Sequence, residues 1–308
     1  MRATASRLKA WFESDFFWDF SHEGVAVASF CLLVFLCLIA LCAPFIAPQD
    51  PFDLASIDIA FANLPPSWAA GGDPAFVLGT DDQGRDLLSA ILYGMRLSIA
   101  IGLVSVFLSV VLGVVFGLLA GFAGGVADAV IMRVCDAFLS FPAILIALLI
   151  DGILKAALPQ GMGEATAYCV LVFAITLSGW VKYARTVRSL TLVEKDKEYV
   201  LAARVIGVSR TRIVFRHILP NVLSPLFVLA TVGVATAIMT ESTLSFLGVG
   251  VPPTTPSLGS LIRIGNDYLF SGQWWLCLFP GAVLVAIVMA VNLFGDWLRD
   301  ATNPELKG

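Results

Sequence analysis

The chain has 308 residues, of which 58% are apolar and only 14% are charged, and its mean hydropathy is +0.89. Soluble domains are about 45–50% apolar and about 25% charged, so this composition excludes a soluble globular enzyme, a disordered chain and a disulfide scaffold. It indicates an all-α polytopic membrane protein, and the net charge of −4 gives no general basic field for nucleic acid.

The N-terminal segment, residues 1–23, carries regularly spaced aromatic residues. Phe12, Phe16 and Phe20 recur every four residues, with two tryptophans nearby. This spacing predicts a helix lying in the membrane interface, and a frayed aromatic tail is the alternative. The apolar run that follows lacks a small-x-small cleavage site, so we interpret it as a retained anchor.

Six apolar runs approach the roughly 20 residues of helix that are needed to cross a bilayer. The runs cover residues 24–47, 97–120, 132–154, 165–181, 222–247 and 275–298. The third is the least regular, because Arg133, Asp136 and Pro142 interrupt it. We therefore expect one domain of six spans over residues 24–298, followed by a short tail over 299–308.

The distribution of basic residues predicts the orientation of these spans. The loop 182–221 carries nine of the 19 Lys and Arg residues, whereas the loop 48–93 carries seven Asp residues and a single Arg. Basic loops stay on the cytoplasmic side of a membrane. We therefore expect the loop 182–221 and both termini to be cytoplasmic, and the loops 48–93 and 248–273 to face outside.

Small residues mark a packing surface in the second span. Gly113, Gly117 and Gly121 recur every four residues. In lipid this spacing lets another helix approach closely, so it predicts helix packing rather than chemistry.

Asp136 and Glu241 are the clearest ionisable groups inside the spans. Charge in a membrane is costly, and such groups are functional candidates by default. They either line a polar path or hold helix ends in register; alternatively each sits near an interface and pairs locally, Asp136 with Arg133 for example.

The sequence offers no catalytic or metal-binding constellation. The six cysteines lie in apolar runs without a C-x-x-C, and His22 and His217 are far apart. We expect the cysteines to pack as small apolar residues and the chain to hold no metal, no cofactor and no catalytic residue. No Gly-Lys pair occurs, so a phosphate-binding P-loop is absent and energy for any work must come from a partner.

The central part of the basic loop reads EKDKEYVLAARVIGVSRTRIVFRHILPN. Its first half predicts a helix with the small pair Ala202 and Ala203. Gly207 is a natural helix stop, Ser209 a natural start, and Pro220 marks the transition to the fifth span. A helix resting on lipid headgroups is the alternative to a docking surface.

This stretch resembles the EAA loop of binding-protein-dependent ABC import permeases. The positions that carry the likeness are Ala202, Ala203, Gly207, Leu219 and Pro220. Leu201 stands where Glu is usual, and His217 where Ile is usual. The patterns E-Y-V-x-A-A, with Glu198 and Tyr199, and H-x-L-P resemble the dipeptide, oligopeptide and nickel branch of these permeases.

Other blocks resemble the same branch in the same order, and together they cover most of residues 24–304. LGTDDQGRDLLS follows the first span, although Phe76 and Val77 stand where His-Pro is usual. Gly125 to Pro142 resembles the next block, ESTLSFLGVGVPPTTPSLG a later one, and NLFGDWLRDATNP the C-terminal one. The chain is thus similar to the C-type subunit of peptide permeases.

The resemblance implies a type I ABC importer permease that translocates peptides across the bacterial inner membrane. It implies that the loop is a coupling helix docking on a cytoplasmic ATPase, formed by Glu198, Tyr199, Leu201, Ala202, Ala203, Gly207, His217, Leu219 and Pro220. The implied partners are a second homologous permease, two ATPases that bind ATP and Mg²⁺, membrane lipid and a periplasmic solute-binding protein on the outer loops. Nickel, glutathione or another small solute is the alternative cargo.

Two other functional classes are weaker on this sequence. A secondary transporter commonly shows internal repeats, and residues 24–154 and 165–298 show no convincing one. An intramembrane hydrolase needs a nucleophile beside a base, whereas both histidines lie outside the predicted spans.

Overall fold

Helices form nearly all the regular structure of the chain. A computed structural model describes residues 15–53, 57–157, 164–252 and 254–302. Within these ranges the extended pairing consists of one isolated bridge, between Thr80 and Asp86. The all-α prediction is therefore confirmed.

Twelve α-helices and two short turns follow one another along the described chain. They are α1 (Asp15–His22), α2 (Gly24–Leu41), α3 (Ala43–Ile46), a 3₁₀ turn (Ile59–Phe61), α4 (Leu87–Ala123), α5 (Gly125–Leu139), α6 (Ala143–Ala157), α7 (Glu164–Glu194), α8 (Glu198–Val205), α9 (Arg210–Ile213), a π turn (Val214–Ile218), α10 (Leu219–Phe246), α11 (Leu258–Leu269) and α12 (Trp275–Thr302).

Five continuous helices in the described residues are long and apolar enough to cross a membrane. They are α2, α4, α7, α12 and the unit Arg210–Phe246, which joins α9 to α10. The third predicted span is instead the pair α5 and α6, bent by 95°. Pro142 lies at the bend, where it lacks a backbone N–H and disfavours helix at the preceding residue. The six expected spans are thus five continuous helices and one bent pair.

The N-terminal aromatic segment lies partly outside the described residues, and Phe12 is among those not described. From Asp15 onward the chain is helical in α1. Phe20 packs with its ring centroid 5.0 Å from that of Trp297 on α12, while Trp18 is 63% exposed. α1 therefore rests on the end of α12 with aromatic surface left over, as an interfacial helix requires.

Two predicted loops are shorter in the structure. α4 begins at Leu87, where the Asp86 carboxylate accepts a hydrogen bond from the Ser89 N–H at 2.8 Å, so the outer loop 48–93 ends at Asp86. α7 continues to Glu194, so Lys182 lies on a helix and the cytoplasmic loop does not begin there. Hydropathy detects only the apolar part of a helix, which continues wherever its polar residues find partners.

The glycine repeat of α4 packs against α7. A Cβ at Gly117 would lie 2.6 Å from the Cβ of Val187, and one at Gly121 would lie 2.7 Å from that of Thr191. A Cβ at Gly113 would likewise collide with the Cβ of Tyr183. The close helix approach predicted from the spacing is therefore present, and no larger residue fits at these three positions without displacement.

Exposed apolar side chains surround the helix bundle. Phe107, Leu149 and Val285 are each more than half exposed in the isolated chain. In water such a surface would drive association, whereas lipid tails solvate it. The distribution fits a bundle that lies in a bilayer.

Candidate coupling site and membrane-embedded polar groups

The segment between α7 and α10 has the predicted arrangement of helix, glycine break and helix. α8 ends at Val205, Gly207 has φ +83°, and α9 starts after Ser209. Gly207 suits the left-handed conformation because it lacks a Cβ. From Arg210 the chain is helical through a π turn into α10, where Pro220 occupies the first turn. Pro220 therefore lies inside a continuous helical unit, just after the π turn, where its missing N–H removes one backbone hydrogen bond to the preceding turn.

α8 presents an apolar face to the surroundings. Val200 and Ala203 are buried against the bundle, whereas Leu201 is 44%, Val205 89% and Ile206 81% exposed. The small pair thus has two different roles, because Ala203 packs inward while Ala202 is exposed. No heavy atom lies within 4 Å of where a Cβ would stand on Gly207. Such an exposed apolar patch indicates a contact surface.

A hydrogen-bonded group ties α8 to the start of α10. The Tyr199 hydroxyl donates to the Glu194 carboxylate. The Asn221 amide donates to the Tyr199 oxygen and to the His217 carbonyl, each at 2.8 Å. The Tyr199 and His217 rings stack with centroids 6.4 Å apart. Side-chain contacts therefore join α8 to α10 in addition to the backbone between them.

The protonation state of Tyr199 suits this arrangement. Burial, together with the neighbouring Glu194 carboxylate, raises the pKa of the Tyr199 phenol above its ordinary value. The hydroxyl therefore remains a donor at neutral pH. Glu194 and Asn221 were not among the residues predicted from the sequence; a charged residue at a helix end is too common to single out.

Basic residues of α7 fasten the bent pair to the bundle. Arg188 binds Asp128 of α5 through two hydrogen bonds, one of them 2.7 Å long between Nη2 and Oδ2. Asp136 lies 3.9 Å from Arg185 of α7, and both side chains are about half exposed. Asp136 therefore pairs across two helices rather than with Arg133, because α7 extends inward past α5 and brings its own cations alongside. This contact favours local pairing over a polar path.

Glu241 is a buried junction between three elements. It is fully buried, and its carboxyl oxygens accept from Ser245 at 2.8 Å and from Ser242 at 3.2 Å. Ser98 of α4 and Ser257 before α11 also hydrogen-bond to it. The arrangement joins the outer ends of α4, α10 and α11, so it supports the interpretation that Glu241 holds helix ends in register.

A second buried acidic group within the spans, Asp151 on α6, was not among the residues predicted from the sequence. Asp151 is fully buried and pairs with Lys155 at 2.9 Å. Lys155 also donates to the Gly250 carbonyl at 2.8 Å, so the pair anchors α6 to the outer loop after α10. The available signal was an Asp and a Lys four residues apart inside an otherwise apolar run.

The outer loop is held by a buried ion pair. Arg85 and Asp81 are each 1% exposed, with Nε and Oδ2 2.6 Å apart. Arg85 also donates to the Thr254 carbonyl at 3.3 Å, which joins the loop before α4 to the loop before α11. The two outer segments predicted to contact a binding protein therefore form one connected surface.

No group of three or more potential metal ligands occurs in the described parts of the chain. The six cysteines are free thiols, three of them exposed in the isolated chain. The exposed thiols are Cys31 on α2, Cys169 on α7 and Cys42 between α2 and α3.

Two family models match the chain. One, described as "Binding-protein-dependent transport system inner membrane component", matches residues 113–308. The other, "N-terminal TM domain of oligopeptide transport permease C", matches residues 12–66.

Curated relatives cover nearly the whole chain. The dipeptide transport system permease protein DppC of Escherichia coli strain K12 is 44% identical over 294 residues, covering 94% of this chain and 93% of the relative. The protein of the same description from Haemophilus influenzae is 38% identical over 293 residues and covers 95% of both. The di/tripeptide transport system permease protein DppC of Pseudomonas aeruginosa is 39% identical, covering 95% of this chain and 92% of the relative.

Solved structures share the fold. A chain of the MetNI methionine ABC transporter in an inward-facing conformation aligns with a TM-score of 0.55 and 21% identity, over 70% of this chain and 98% of its own length. An amino acid ABC transporter solved with histidines aligns with a TM-score of 0.52 and 12% identity, over 69% of this chain and 94% of its own.

Proposed function

This chain belongs to the family of binding-protein-dependent transport system inner membrane components, and from this membership we propose that it is the permease subunit of an ATP-driven importer of small peptides. Dipeptides and tripeptides are the cargo named for relatives that align with 94–95% of this chain. The proposed cargo is therefore a short peptide, delivered by a periplasmic solute-binding protein on the outer surface formed by the loops before α4 and α11.

The proposed energy source is a pair of cytoplasmic ATPases that bind ATP and Mg²⁺. The observation that carries this part is the exposed apolar end of α8, beside a glycine with φ +83°. This end continues through Gly207 into the helical unit Arg210–Phe246, so a push on α8 moves a membrane-spanning helix as a body. The chain itself is then non-catalytic.

The remaining proposed roles follow from this geometry. Leu201, Ala202 and Gly207 form the docking surface. Tyr199 and His217 transmit the movement, Ala203 fixes α8 to the bundle, and Leu219 and Pro220 begin the driven helix. A second, homologous permease completes the path, and both termini lie on the cytoplasmic side of the bacterial inner membrane. Glu198 is exposed on the same helix and extends its polar edge.

Bulk at Gly207 tests the coupling role. A Cβ at Gly207 would meet nothing within 4 Å, so we expect the indole of Gly207→Trp to extend outward and obstruct docking. Gly207→Ala is the matched control, because both variants carry the backbone strain of about 1–2 kcal/mol and only one adds bulk. The assay is uptake of a labelled dipeptide by the complete transporter in proteoliposomes with ATP inside.

We expect Gly207→Trp to lose at least about tenfold in uptake while Gly207→Ala stays within about twofold, since a blocked contact costs more than 1.4 kcal/mol. Equal uptake by the two variants contradicts the docking role. Uptake by the wild-type chain that continues without any ATPase contradicts the ATP-driven function as a whole.

A further inference from the structure

A mostly apolar cavity of about 200 Å³ that contains a few polar side chains lies where α4, α7 and α10 meet the bend between α5 and α6. Its polar lining includes Lys182 and Tyr183 of α7 and Thr236 and Thr240 of α10. Lys182 is the one charged residue among the lining side chains of the described chain. Lys182 lies twelve residues before Glu194, the end of α7. At 1.5 Å per residue, this places it about 18 Å along the helix from that end, well inside the bundle.

Two hydrogen-bond donors, the Lys182 ammonium and the Tyr183 hydroxyl, lie close together in this cavity. Tyr183 is fully buried, and its hydroxyl has no hydrogen-bond partner in the described residues. The Lys182 ammonium lies 4.9 Å from the centre of the Tyr183 ring. Neither group is used by the coupling site.

The backbone of α10 leaves room for both donors. A Cβ at Gly233 would collide with the Tyr183 hydroxyl and lie 3.4 Å from Lys182 Nζ. The five ion pairs found in the described chain leave Lys182 without a carboxylate partner. A cation and an orphaned hydroxyl in a low-dielectric site are both costly, and an anion between them removes both costs.

The hydroxyl oxygens of α10 supply hydrogen-bond acceptors to the same cavity. Thr240 donates to the Thr236 carbonyl at 2.8 Å, and Thr236 donates to the Val232 carbonyl at 3.3 Å. Ser178 of α7 likewise donates to the Ile175 carbonyl. With their protons committed, these oxygens offer lone pairs to the cavity and can accept N–H groups.

We propose that this cavity is a transit site for the solute, in which Lys182 and Tyr183 bind a peptide carboxylate and the α10 threonines accept peptide N–H groups. The inference rests on the proposed import function and assigns the chemistry of one half of the path. A solute with one carboxylate and several N–H donors matches the donors and acceptors on the two sides of the cavity. The helices that carry this site include α10, which the coupling segment moves.

The test uses the complete transporter in proteoliposomes, with saturating binding protein loaded with labelled dialanine. Lys182→Met removes the charge at nearly constant length, Lys182→Arg keeps it, and Tyr183→Phe removes only the hydroxyl. Arg96→Met is the control, because it removes a cation from an exposed part of α4 outside the cavity. Maximal uptake and the ATPase rate stimulated by loaded binding protein are measured together.

We expect Lys182→Met to lower maximal uptake at least about tenfold and Tyr183→Phe about threefold, because the first removes a charged donor to the carboxylate and the second a neutral one. Stimulated ATPase should stay within about twofold, so that more ATP is hydrolysed per peptide imported. Lys182→Arg should retain most of the uptake, and Arg96→Met should behave as wild type.

Unchanged uptake by Lys182→Met overturns the transit site and leaves the import function standing. A parallel loss of uptake and ATPase that Lys182→Arg does not restore identifies a structural lysine and also overturns it. A wild-type transporter that imports no labelled peptide overturns the import function, and this inference with it.

Discussion

The α4–α7 contact allows the effect of one added methyl group to be estimated. Gly117→Ala would place a Cβ 2.6 Å from both the Ala184 carbonyl oxygen and the Val187 Cβ. An ordinary carbon contact is about 3.5–4.0 Å, so the two helices must separate by about 1 Å or strain locally. Overpacking of this kind costs about 1–3 kcal/mol.

The matched control is Gly152→Ala on α6, where a Cβ meets nothing within 4 Å. There the substitution gains helix propensity, up to about 1 kcal/mol, without a clash. At roughly 2–4 °C per kcal/mol, Gly117→Ala should lower the thermal midpoint by about 2–12 °C, and Gly152→Ala should leave it unchanged or raise it.

The assay is thermal unfolding of the purified chain in lipid nanodiscs, followed by intrinsic fluorescence, with the two variants measured side by side. If both variants have the wild-type midpoint, or if Gly152→Ala is the less stable, then the glycine repeat does not define a tight interface and the packing argument is wrong.

Two further predictions concern charged groups. Burial and the neighbouring Asp81 raise the pKa of Asp82, so its ionised form opposes folding; stability is gained as pH falls through that raised pKa. Asp82→Asn should therefore raise the thermal midpoint at pH 7 by an amount that vanishes in acid, and a constant difference across pH refutes this. A double-mutant cycle of Asp128→Asn and Arg188→Met should give a coupling free energy of about 1 kcal/mol in thermal unfolding, because the pair is bidentate but only partly buried. A value near zero means that the pair does not fasten α5.

The membrane-spanning helices could be predicted from the sequence, because a helix needs a long apolar run to cross a bilayer. The ends of these helices could not be predicted. α7 extends beyond its apolar part because Arg185 and Arg188 find carboxylates on α5. The signal for a break at Pro142 was present in the third span. The 95° angle depends on how α6 packs on α7 and on the Lys155 contacts, which no local pattern contains.

Some features of the candidate coupling site could likewise be predicted from the sequence and others could not. Gly207 was predictable because a helix stop is a local backbone event. The different burial of Ala202 and Ala203 depends on which face of α8 meets the bundle. The contacts from Tyr199 to His217 and Asn221 join residues 18 and 22 positions apart, so they follow from the fold alone. The sequence places Lys182 at the start of a basic loop, because no local pattern shows that α7 continues past it.

The central claim is that α8 receives the movement of an ATPase and passes it to the membrane-spanning helices. The most direct test is cross-linking from Val205, which is 89% exposed, in a chain whose six native cysteines are replaced. Val205→Cys should form a cross-link to the ATPase subunit that changes with ATP, and Ile59→Cys, 77% exposed in the outer loop, should form none. A transporter that imports its solute while position 205 reacts only with lipid or solvent contradicts the account.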